Sequence, residues 1–436
     1  MINPNKQDYI NAEIFKFVEL LEFSTENSSY EISEGSIKLK NNIDLTDLLI
    51  NTPTIICEKN GDNIISKKEC INSNCLGFNE ENYKKFHGFI KNIYKERRFK
   101  ELISFQFLEQ ISFEFILNIK KSNKAETSFT NYLVNKIDSS VKEYCIYFKI
   151  LHLEIENNFK IGNVLFSFVD ENFFKNDDKE DLFHSYKGEV LVSYSVKAEK
   201  EKAKEIAFKK CSLAVDCLKL FFDTIPFPKV KTSFDIDSRT NENLENEIII
   251  FDNEKLNGIS IEKFRVPSHQ RVNNDKLILF KRTGIDYFHH FLLTIDEKNE
   301  LTELELLIRN SIQHFAFSIT IRNLNRRIVE LFTLIESLIL QDSNSPILES
   351  LTKYLSKILT KDINERKEII KLIKEMYIIR SSYVHHALNK DFDTMKLGKF
   401  QVMIHMLIVK LIILSKSHQT KKTILNEIDE AILGAY

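Results

Sequence analysis

The stretch "MYIIRSSYVHHALNK" (376–390) sets Arg380 five positions ahead of His385 and the adjacent His386, at the close of an apolar, helix-like run. An arginine guanidinium presents a rigid fork of donors matched to phosphate oxygens. An imidazole, with an ordinary pKa of about 6.5, takes or gives a proton near neutral pH. Together they suffice for RNA cleavage without a metal, because the ribose 2'-hydroxyl attacks its own phosphodiester and no separate nucleophile is needed. The spacing alone is a weak signal. With 12 arginines and 11 histidines in 436 residues, roughly 0.3 occurrences of Arg-x4-His arise by chance, and the chain holds two.

Context separates them. The other string, "RNSIQH" from Arg309 to His314, lies on what reads as one face of an ordinary packed helix, and a looser pairing joins Arg282 to His289 in a strand-like piece. Only Arg380 follows a strong helix, "ERKEIIKLIKEMYII", with Ser381, Ser382 and a second histidine beside it. The same residues also fit a blander arrangement, an arginine ion-paired to Glu336 and a histidine satisfied in a helix core. Arg322, Arg326 and Arg327 fit either RNA-backbone contacts or an exposed helix face. Cys57, Cys70 and Cys75 with His87 make a conceivable zinc set whose spacings match no known ribbon, so no metal is expected there and the cysteines read as buried or surface thiols. None of the ten glycines falls in a Walker or dinucleotide pattern. That excludes nucleotide hydrolysis by those routes and leaves no cofactor implied.

Composition sets the frame for these residues. Hydrophobic residues make up 43% and charged residues 28%, the balance of a globular protein, and the length suits two or three domains. A formal net charge of −2 rules out nucleic-acid binding by overall charge, so any such site is a local patch. From Asp296 onward 20 Lys plus Arg face 18 Asp plus Glu, a balance that permits one. The start, "MINPNKQDYINAEIF", lacks a basic lead into an apolar stretch, so no secretory signal is expected. The most apolar segment, Phe400 to Leu414, is shorter than a membrane span and carries His405 and Lys410, so it reads as a buried helix with no membrane partner. Six scattered cysteines point to a reducing, cytoplasmic setting.

Residues 1–140 read as an α+β region, mixing strand-like "SYEISEGSIKLK" with helical runs such as "KKFHGFIKNIYKERRFKELISFQFLEQI". Residues 141–295 read as a β-rich α+β domain. In it "EYCIYFKILHLEIENNFKIGNVLFSFVD" gives a hairpin-like signal around Asn157, Asn158 and Gly162. "GEVLVSYSV" precedes one long helix, about 197–223, in which Ala203, Ala207, Cys211, Ala214, Val215, Leu218 and Phe222 recur at helical spacing. "NEIIIFD" and "DKLILFKR" read as further strands. Residues 296–436 read as all-helical. Ser345 and Pro346 supply a cap and a first helical position, and Asp362 with Glu365 resembles a capping box.

Tyr377, Arg380, Ser381, Val384 and His385, with Leu334, Glu336 and Leu338 about forty residues upstream, resemble the HEPN superfamily, and within it the Apea-like proteins of bacterial anti-phage defence. That subfamily carries a Tyr-x-x-Arg-Ser-x-x-Val-His run and an upstream Leu-x-Glu-x-Leu helix. The resemblance covers roughly the last 140 residues and extends faintly to the strand and long helix before them. It implies an α+β region followed by an all-α C-terminal HEPN bundle, and a metal-independent endoribonuclease with Arg380 and His385 catalytic. Ser381, His386, Tyr377 and Glu336 would support them. It further implies an RNA substrate and a role in abortive infection, with the N-terminal region as sensor and a phage-derived activator or cognate inhibitor as partner. Ser381 replaces the Asn, Asp or His that many catalytic relatives carry, and His386 stands where glycine is common. On a regular helix Arg380 and His385 point about 140° apart, so the resemblance implies a homodimer in which two copies of the motif line one cleft. The alternative is a non-catalytic RNA-binding or partner-binding module.

Overall fold

The computed structural model describes residues 4–25, 54–60, 63–71, 74–170, 186–230, 234–237, 245–252, 255–263, 270–341 and 346–433. The strand-like "SYEISEGSIKLK" and Ser345 fall outside them. The chain forms two compact units, Met1–Tyr144 with Ser195–Ile206, and Cys145–Tyr194 with Ala207–Tyr436.

The first unit is α/β. Strands β1 (Glu22–Thr25), β2 (Thr54–Asn60), β3 (Asn63–Ile71) and β4 (Asn74–Phe78) form an antiparallel sheet in the order β1-β4-β3-β2. Helices α1 (Pro4–Glu19), α2 (Glu80–Ile93), α3 (Arg97–Leu102), α4 (Phe105–Ser122) and α5 (Phe129–Ser140) accompany it. Phe17, Phe78, Phe86 and Phe113 meet in its core. The β3–β4 register sets Cys70 directly opposite Cys75, and the two are joined in a disulfide. Cys70 and Cys75 are therefore not the thiols expected, and neither is open to a zinc ion, while Cys57, Cys145, Cys211 and Cys217 remain thiols. His87 instead shares the buried carboxylate of Glu109: His87 Nδ1 lies 2.9 Å from Oε1, the Tyr83 hydroxyl donates to the same oxygen at 2.8 Å, and Lys67 Nζ pairs with Oε2 at 3.5 Å.

In the second unit, β5 (Lys142–Leu151), β7 (Phe159–Ile161), β8 (Val164–Phe168), β9 (Val190–Ala198) and β10 (Asp235–Ile236) form a sheet in the order β10-β5-β9-β8-β7. β6 (Leu153–Ile155) pairs in parallel with β13 (Gln270–Val272), and β11 (Glu245–Asp252) pairs with β12 (Lys255–Lys263). The tight hairpin turns at Gly162 and Asn163, between β7 and β8, rather than at Asn157 and Asn158. Gly162 sits at φ +62°, where a side chain is disfavoured, and its N–H reaches His289 Nδ1 at 3.1 Å. The long helix is α6 (Lys200–Lys219), and all seven residues at its expected periodic positions are buried, Phe222 just beyond its end.

The C-terminal part is helical and begins before Asp296. "DKLILFKR" belongs to α7 (Asn274–Thr283), not to a strand: the Asn273 side chain accepts from Lys276 N, Asp275 occupies the first turn, and Gly284 ends the helix at φ +109°. After it come α8 (Ile285–Glu297), α9 (Glu303–Ser318), α10 (Leu324–Ile339), α11 (Ile347–Leu359), α12 (Ile363–His386), α13 (Thr394–Leu414) and α14 (Lys421–Leu433). The break expected at residues 295/296 therefore lies inside one unit with one continuous core. α9 starts with a full capping box from Thr302 and Glu305. α11 starts just after Pro346, which stands at the cap position rather than inside the helix. At α12 the Asp362 side chain accepts from Glu365 N, while the Glu365 carboxylate takes the Thr360 hydroxyl instead of completing a box.

α13 is the central helix of this part. At 21 residues it is long and apolar enough to cross a membrane, yet 61% of its most apolar window is buried in the fold. His405 lies between the rings of Phe221 and Phe288 with Nε2 on Thr283 O at 3.2 Å, and burial pushes its pKa down. Gly398 lets α13 approach the turn that follows α6: a Cβ there would stand 2.1 Å from Pro226 O. Gly398→Ala should therefore cost about 1–3 kcal/mol, read as a lower urea midpoint. Unchanged stability would show that this contact is not made.

Candidate functional site

The site is built on the last turns of α12. Burial of Ile373, Met376 and Ile379 against the core fixes the rotation of the helix about its axis. That rotation decides where every other side chain on it points. Arg380 is turned toward α10, where Nη2 meets Glu336 Oε1 at 3.4 Å and the two side chains are 16% and 17% exposed. Its guanidinium carbon lies 5.7 Å from the centre of the Tyr377 ring, which in turn stands edge-on to Phe332. Nε of Arg380 is buried and has no hydrogen-bond partner among the described residues. The Glu336 carboxyl is pushed up by burial, and the Arg380 charge opposes that rise.

His385 and His386 occupy the opposite situation. Both are exposed, with ring centres 6.5 Å apart. The helix ends directly after them, at Ala387, whose left-handed φ of 52° turns its N–H back to Ser382 O and Tyr383 O. Ser381 is half-buried and lies on the His385 side of the helix, four residues before it. The structure thus groups Arg380, Tyr377 and Glu336 on one side of α12, and His385, His386 and Ser381 toward another. One straight helix cannot aim both groups at the same phosphate. The arginine-to-Glu336 ion pair, the blander of the two readings, is made; the core histidine is not, because both imidazoles face solvent.

The arginines at and just before the start of α10 divide in the same way. Arg326 and Arg322 are exposed. Arg327 is not an RNA contact: it is 4% exposed, donates from Nε and Nη2 to Ile321 O at 3.0 and 2.7 Å and from Nη1 to Pro228 O at 2.9 Å, and burial lowers its pKa to about 10. Asn325, which sequence reasoning passed over, fastens the segment after α12. Its side chain donates to Lys390 O and accepts from Lys390 N, each at 3.3 Å. Only its cap-adjacent position hinted at a polar role.

The competing strings are structural. His314 Nε2 bonds Glu330 across α9 and α10 at 3.2 Å, and Arg309 bonds its neighbour Asn310. His289 is spent on the β7–β8 turn, and Arg282 ends a helix. Among the described residues no three His, Cys, Asp or Glu side chains converge as metal ligands.

Ionised Glu336 opposes folding because its carboxyl is raised in the fold, and this penalty fades as pH falls through the raised value. Removing Arg380 deepens it. Arg380→Met should cost about 1–3 kcal/mol at pH 7 and less at pH 5 in urea unfolding, with Glu336→Gln restoring part of the loss. Equal loss at both pH values would contradict the pairing. No family model matches the chain, and no curated protein or solved structure matches it either.

Proposed function

We propose that the chain is a metal-independent endoribonuclease of HEPN type, active as a homodimer in which the ends of two α12 helices line one cleft. In each composite site His385 of one chain takes the proton of the ribose 2'-hydroxyl as O2' attacks phosphorus. The P–O5' bond breaks, the 5'-oxygen takes up a proton, and the products are a 2',3'-cyclic phosphate and a 5'-hydroxyl. Arg380 of the other chain neutralises charge building on the phosphoryl oxygens. His386 serves as the second proton carrier, and Tyr377 and Glu336 hold the arginine. The observation that carries this reading is the pair of solvent-facing imidazoles at a rigid, capped helix end, one and a half turns beyond a desolvated arginine with an unused Nε.

The C-terminal helices would then form the HEPN bundle. The N-terminal α/β unit would sense a phage component or bind a cognate inhibitor in anti-phage defence. Restraint of this kind suits a nuclease that harms its own cell. The second reading, a non-catalytic RNA-binding or partner-binding module, is favoured by one observation: Arg380 is already committed to Glu336 and points about 140° from His385.

Purified protein incubated with mixed RNAs in excess EDTA should cleave them, leaving cyclic-phosphate ends. His385→Ala and Arg380→Ala should each reduce the rate by roughly 100-fold or more, while His314→Ala should leave it unchanged. Cleavage that needs a divalent metal, or that survives His385→Ala, would sink the nuclease assignment.

A further inference from the structure

The segment "TIPFPKV", Thr224 to Val230, is a rigid turn that presents an aromatic ring to solvent. Gln401, fully buried on α13, donates from Nε2 to Thr224 O and Ile225 O at 2.8 and 3.0 Å. Gly398 gives Pro226 O room against α13, and Arg327 holds Pro228 O. The Thr224 hydroxyl closes the turn on Val230 O at 2.5 Å. Two prolines flank Phe227, and Pro228 is buried. Phe227 is 49% exposed, beside exposed Lys229 and Val230. The two prolines and these hydrogen bonds hold the ring in a fixed position at the surface.

The surroundings indicate a partner. Arg327 and Asn325 stand two residues apart at the start of α10; the first holds the Phe227 turn, and the second holds Lys390 just past His386. The turn, the start of α10 and the end of α12 therefore belong to one end of the helical part. Exposed Lys229, Arg326 and Lys390 lie there against Asp391 and Asp393. Asp393 is engaged in capping Met395 N, and Asp223 pairs with Lys276 at 3.5 Å. The balance is basic. An exposed ring beside a basic track is the arrangement on which an unpaired base stacks while its backbone follows the charges.

We infer that Phe227 is a stacking platform for an unpaired base, and that the substrate is single-stranded RNA led past it toward His385 and His386. A base inside a duplex offers no free face to this ring. Because the turn is already held in shape, stacking on it requires little ordering. The inference rests on the reading of the α12 end as the place where RNA is handled.

The test uses the full chain carrying His385→Ala, so that the probe survives, and measures fluorescence anisotropy with a labelled RNA of about twelve nucleotides and its duplex. Phe227→Ala should weaken single-strand binding by roughly ten-fold and leave duplex binding unchanged. Phe227→Leu should be as weak as Phe227→Ala, and Phe227→Trp should bind as well as the parent. Full binding by Phe227→Ala, equal loss for strand and duplex, retention by Phe227→Leu, or no RNA binding by the parent would each overturn the inference. So would a change in oligomeric state in place of RNA affinity, which would make the occupant a second copy. The two readings fail separately. A protein that binds through Phe227 but never cuts loses only the nuclease assignment; one that cuts with affinity indifferent to Phe227 loses only this inference.

Discussion

The rotation of α12 about its own axis is the constraint on which the functional reading depends. Ile373, Met376 and Ile379 are buried on one face, and burying side chains of this size is worth about 1.5–3 kcal/mol each. With that face committed to the core, Arg380 must turn toward Glu336 and His385 must face solvent. The Arg380–Glu336 pair adds a polar contact to the same orientation, partly offsetting the desolvation of both groups. A chemistry that needs both an imidazole and a guanidinium at one phosphate then has to draw them from two helices.

Buried polar side chains on α10 and α13 do comparable work nearby. Arg327, Asn325 and Gln401 use their donors on backbone carbonyls of loops rather than on ligands. Each satisfies groups that a buried loop would otherwise leave unpaired. Together they stiffen the loops at one end of the helical part, so the exposed residues those loops carry are held on a firm base.

Much of this was legible in the sequence, and the failures have physical causes. The long helix 200–219 was visible because its small and apolar residues keep a 3.6-residue period. α7 was missed because Leu277 to Phe280 is an unbroken apolar run, which carries no period and fits a buried strand equally well. Asn157-Asn158 and Gly162-Asn163 are both good turn formers, and only the sheet register chooses the second. Arg326 and Arg327 are indistinguishable as letters; helical rotation exposes one and buries the other. The Glu336 partner of Arg380 was foreseeable as an option from residue type. The Cys70–Cys75 bond depended on a strand pairing that composition cannot report.

The most direct test of the central claim is complementation between chains. Arg380→Ala and His385→Ala proteins, each inactive alone, are differently tagged, co-expressed and purified as a mixed assembly, and RNA cleavage is measured in EDTA. A composite site predicts recovered cleavage, because one site in each mixed pair keeps an intact arginine from one chain and an intact histidine from the other. A mixed assembly as inactive as its parents, beside an active native protein, would contradict it.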